Sequence, residues 1–116
     1  MAAVDLSAVT NVPYMYSKAS VGTTWQEFKL PPWCCRVTVV ASKSAWVSIV
    51  GAGTPEDGGS TGTHKAAIPQ DTGAVFVIQG PEQRPVRVGL TYASSIFVAA
   101  QSGTCTVTAI LEAGAS

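Results

Sequence analysis

Charge is scarce in this chain. Seven basic and seven acidic side chains make up 12% of 116 residues and cancel to a formal net charge of zero. A typical soluble domain carries about twice that share. Without a net field, nothing draws the protein toward nucleic acid or an anionic membrane. The cations are scattered too: Lys18, Lys29, Arg36, Lys43 and Lys65 stand apart, and only Arg84 and Arg87 are close. They are not interleaved with aromatics, as nucleic-acid readers require.

Groups for acid–base chemistry are also few. His64 is the single histidine. A triad with Asp57 or Asp71 and a serine can be drawn, but no G-x-S-x-G elbow positions the nucleophile. The acids Asp5, Glu27, Glu56, Asp57, Asp71, Glu82 and Glu112 fall mostly in turn-like stretches or near the ends, where carboxylates are solvated. Glu56 and Asp57 with Asp71 are the one set that could hold calcium, yet the acid spacing of calcium loops is missing. Gly51-Ala52-Gly53 follows a strand-like run, but neither a helix nor a lysine follows to make a phosphate cradle. These absences lead to an expectation of no enzyme activity, no cofactor and no metal.

Cysteine is limited to Cys34, Cys35 and Cys105, with no C-x-x-C spacing for zinc or redox work. Adjacent strand residues point to opposite faces, so Cys34 and Cys35 cannot both enter one core. We expect Cys35 and Cys105 on the core side, as free thiols acting as small hydrophobes rather than as a bonded pair. No apolar run approaches the roughly 20 residues needed to span a bilayer as a helix. The start, Met1-Ala2-Ala3-Val4-Asp5-Leu6, lacks the basic leader of a secretory signal, so synthesis in a cytoplasm is expected.

What the chain does have is short runs rich in Val, Ile and Thr, separated by Gly, Pro and Ser. Strands are expected over residues 23–30, 35–41, 45–50, 63–68, 74–79, 86–90, 95–100 and 104–111. Ser42-Lys43-Ser44 and Gln101-Ser102-Gly103 read as hairpin links. The glycine-rich stretch 51–62 reads as a long mobile loop. Within 35–41, Cys35, Val37, Val39 and Ala41 share one face, and Arg36, Thr38 and Val40 the other. About eight strands and no helical periodicity predict an all-β fold, an antiparallel β-sandwich of jelly-roll type.

Residues 1–22 alternate weakly and read as an N-terminal arm, followed by a sandwich domain over 23–112 and a tail over 113–116. The arm carries Val12-Pro13-Tyr14-Met15-Tyr16, too apolar to leave in water, so it should lie on its own domain or on a neighbour. Trp25 and Trp46 suit a place in or around the core. Trp33, beside Pro31-Pro32, suits either fold packing or an interface. Val12, Pro13, Tyr14, Met15, Tyr16 and Trp33 are the candidate contact residues. So few charges also leave a monomer prone to association, which favours a surface covered by other copies or other proteins. The alternative on the same scaffold is a carbohydrate-binding module, with tryptophan faces stacking on sugar rings.

Ala66-Ala67-Ile68-Pro69, Ala74-Val75-Phe76-Val77-Ile78-Gln79-Gly80, Val86-Arg87-Val88 and the closing run from Gly103 through Thr106-Val107-Thr108 to Leu111-Glu112 add a family resemblance. Over about residues 35–112 the chain resembles small structural proteins of tailed bacteriophages, such as capsid decoration (cement) proteins and minor head or tail components. The resemblance implies a non-enzymatic virion protein that binds a major capsid or tail protein; a tail-associated adhesion protein stands beside the carbohydrate-binding module as the alternative. It implies no catalytic residues. A homo-oligomer, a trimer by expectation, and a tying role for the arm fit the same picture.

Overall fold

The computed structural model describes residues 3–49, 65–78 and 93–113. These form nine strands: β1 (Val4–Asp5), β2 (Tyr14–Val21), β3 (Gln26–Lys29), β4 (Cys34–Ala41), β5 (Ala45–Ser48), β6 (Ala66–Ile68), β7 (Ala74–Val77), β8 (Ser95–Ala100) and β9 (Cys105–Ala113). One sheet has the order β1-β3-β8-β5-β6 and the other β2-β9-β4-β7. All pairings are antiparallel except β1 with β3, which is parallel. The all-β, two-sheet architecture is as expected, and β2 to β9 follow the strand order of the expected jelly roll, β2-β9-β4-β7 against β3-β8-β5-β6, with β1 added at an edge.

Alternation decides what the two sheets bury. In the four-stranded sheet Tyr14, Leu111, Val37 and Phe76 lie in one cross-strand row, and Tyr16, Ala109, Val39 and Ala74 in the next. All eight face inward. The central strands are fully covered there, and the tyrosines and Phe76 are half-buried at the sides. The five-stranded sheet answers with Phe28, Ile96, Val98, Ala45, Val47 and Ile68, in the same apolar cluster. A buried side chain of this size contributes about 1.5–3 kcal/mol, so these rows are the main source of stability.

Three connections cross between the sheets, two of them at the links expected to be hairpins. Residues 42–44 join β4 to β5, residues 69–73 join β6 to β7, and residues 101–103 join β8 to β9, each crossing from one sheet to the other. They are arches, and they hold one another. Ser42 N donates to Thr106 O at 2.9 Å, and Thr106 N returns a bond to Ser42 Oγ at 2.9 Å. Gln101 N donates to Ser44 O at 3.1 Å, and Asp71 N to Ala41 O at 2.8 Å. Gly103 at φ 64° and Asp71 at φ 55° supply the left-handed backbone in two of these arches.

The expected arm is not separate from the domain. Tyr14–Val21 is a strand of the four-stranded sheet, paired with β9 from Tyr14↔Leu111 to Val21↔Cys105. Its side chains alternate half-buried and exposed, as an edge strand's do. Between Lys18 and Val21 the register slips by one residue, with Ser20 at φ 59°. That bulge turns Val21 inward, fully buried, where strict alternation would put it outside.

A second bulge corrects the cysteine assignment. The β4–β9 register shifts between Cys34 and Arg36, so Cys34 is the thiol in the core and Cys35 is half-exposed. Cys105 is buried as expected, and all three thiols are free. The expected strand over 86–90, the loop over 51–62 and the tail beyond 113 lie outside the described residues, as do His64, Glu56 and Asp57.

Candidate assembly surface

The outer face of the four-stranded sheet is built by the residues left over from the core rows. Met15, Ile110, Thr38 and Val75 make one cross-strand row. Ser17, Thr108 and Val40 make the next, with Ser17 Oγ and Thr108 Oγ1 hydrogen-bonded at 2.8 Å. Glu112, Arg36 and Val77 make the third. The exposed large hydrophobics among the described residues are Val12 (51%), Met15 (63%), Val75 (59%) and Val77 (74%). Three of the four belong to this face, and Val12 lies in the segment leading into β2. An outward valine is ordinary by itself, whereas a contiguous apolar set on one face marks an interaction surface.

The sequence-level candidates divide across the sheet. Val12, Pro13 and Met15 are exposed. Tyr14 and Tyr16 turn the other way and pack against the core, so their rings hold β2 to its own domain. Trp33 packs against the core as well, and its Nε1 donates to Val9 O at 2.7 Å. The indole thereby ties the loop between β1 and β2 to the start of β4. Val75, Val77, Ile110 and Val40 were not singled out from sequence. For Val75 and Val77 the signal is the alternation within 74–79, where Ala74 and Phe76 fall on one side and Val75 and Val77 on the other, and for Val40 it is the second face of 35–41.

The other sheet presents a different outer face. Every residue of β8 is buried, Phe97 and Ala99 included, although these two point away from the shared core. Trp46 pairs with Ala99 there and is half-buried, with Lys65 Nζ 4.0 Å from its ring centroid. Ser95 Oγ donates to Glu27 Oε2 at 2.6 Å on the same side. A cleft of about 200 Å³ is lined by Val47, Ser48, Ile49, Lys65, Ala66 and Phe76. It is mostly apolar, and Lys65 is the one titratable group among these, so it presents no acid–base pair.

Titration shifts are confined to ordinary causes. Burial pushes the Cys34 thiol up to about 11, and burial raises Cys105 as well. Asp5 is held below the usual carboxylate range by hydrogen bonds from the Ser7 hydroxyl and backbone N–H. No group of three or more metal-binding side chains gathers among the described residues. Comparison with protein-family models, with curated proteins and with solved structures gives no significant match.

Proposed function

We propose that this protein is a non-enzymatic structural component of a phage-like particle, attached to a capsid or tail surface and present in many copies. The observation that carries this reading is the exposed apolar face made by Met15, Val75, Val77 and their row neighbours in a chain with almost no charge to keep copies apart. The resemblance of residues 35–112 to phage decoration and minor head or tail proteins supplies the setting. Each contact on such a face is weak, and repetition over a symmetric surface adds the contacts by avidity. The partner is then the major capsid or tail protein, and the location is the virion.

The test is co-sedimentation with purified particles. The protein should pellet with particles at a fixed ratio to the major shell protein, and shells stripped of it should rebind it. Val75→Asp with Val77→Asp should lower rebinding at least about tenfold, because two charges would be buried at the contact. Absence from particles, together with no rebinding to stripped shells, would overturn the proposal.

A further inference from the structure

The outer face of the four-stranded sheet has a symmetry that names one partner. Arg36 on β4 and Glu112 on β9 are register partners on this face. Among the described residues, neither charged group is held in an ion pair or a hydrogen bond. A rotation of 180° about an axis lying over the face, parallel to the strands and midway between β4 and β9, exchanges those two strands row by row. It sets Arg36 of one copy over Glu112 of the other, twice. In the next row it sets Ile110 over Thr38 and carries β2 over β7, so Met15 meets Val75. The face is therefore complementary to itself in charge and in apolar content, as an isologous contact requires. A net charge of zero leaves no overall repulsion between copies.

We propose that the outer face of β2-β9-β4-β7 is a two-fold self-association surface whose occupant is the same face of a second copy, with reciprocal Arg36–Glu112 pairs fixing its register. This rests on the assembly reading and names the occupant of the same face in free protein, a second copy that the shell would displace, and it replaces the expected trimer with a dimer. Four strands at about 4.8 Å and five residues at about 3.4 Å give a flat footprint of roughly 300 Å². A standard interface buries about 800 Å² per partner. The pair is accordingly weak, and it matters where local concentration is high.

Sedimentation equilibrium tests the pairing on the full chain. The wild type should pass reversibly from monomer to dimer, with a dissociation constant of about 10 μM to 1 mM. Arg36→Glu and Glu112→Arg should each weaken the dimer about tenfold or more, since each sets like charges against each other twice. The double swap should return to within about threefold of wild type, a rescue that general damage to the fold does not produce. Val75→Asp should leave a monomer. A wild type monomeric up to about 1 mM, a trimer, or a dimer indifferent to both single swaps would overturn the proposal. Particle pelleting run in parallel separates it from the assembly reading. A swap-sensitive dimer absent from particles overturns assembly and supports the pairing. Particles loaded equally by the wild type and both single charge swaps, with no dimer in solution, overturn the pairing and support assembly.

Discussion

At the scale of single residues, burial rather than reactivity governs the cysteines. Cys34 has no exposed surface, and its thiol donates to Arg36 O at 3.5 Å. The alternation of Val37, Val39 and Ala41 was legible in the sequence, and the structure keeps it. The assignment of Cys35 to that same face was wrong by one position, because the β4–β9 register shifts between Cys34 and Arg36. A local pattern carries no mark of a bulge that depends on a strand nearly eighty residues away. The thiol's pKa has a consequence for stability. Burial raises it from an ordinary 9.0 to about 11. A group raised on folding contributes fully below its unfolded pKa and loses that contribution as pH climbs through the folded value. Stability should therefore fall between about pH 9 and pH 11. Urea unfolding at steps across that window should show a shallower fall in Cys34→Ala than in the wild type, and equal slopes would refute the assignment.

At the scale of elements, the chain discloses its strands better than their partners. The runs over 35–41, 95–100 and 104–111 appear as β4, β8 and β9 with small shifts at the ends. The links after β4 and β8 look like hairpins in the sequence because a short polar turn between two alternating runs has the same pattern whether the strands pair or face each other across a core. The difference lies in the Ser42–Thr106 and Gln101–Ser44 bonds, which are long-range. β2 was missed for another reason. As an edge strand it alternates half-buried tyrosines with exposed Met15, Ser17 and Ala19, which weakens the apolar signal. Its bulge offers a test whose sign is informative. Strand propensity alone favours Ser20→Val. At φ 59°, a β-branched side chain is strained. Ser20→Val should lower the unfolding free energy by about 1–2 kcal/mol, read from the urea midpoint. A gain in stability would contradict the left-handed backbone at this position.

At the scale of the whole molecule, the composition that simplifies the core also shapes the exterior. With few charged residues, the outward positions of the four-stranded sheet are filled by Met15, Ile110, Val40, Val75 and Val77 along with small hydroxyls and the Arg36 and Glu112 side chains. The candidate surface was thus half legible. The contact residues Val12, Pro13 and Met15 were named from their apolar character, but the strands that complete the face around Met15 could be known only from the sheet order. That same order alters what the N-terminal segment does. An arm tying neighbours together could be removed without harm to the domain. A strand paired with β9 over Tyr14–Val21 cannot be, because β9 would lose one of its two partners and the two inner rows would lose the rings of Tyr14 and Tyr16. Val21, fully buried, would go as well. Burial of side chains of this size is worth about 1.5–3 kcal/mol each, comparable in sum to the whole stability of a small domain, about 5–15 kcal/mol. A chain lacking residues 1–22 should therefore lose cooperative thermal unfolding, whereas one lacking only residues 1–3 should keep it. If circular dichroism melts of the two were superimposable, β2 would be dispensable and the segment would be an arm after all.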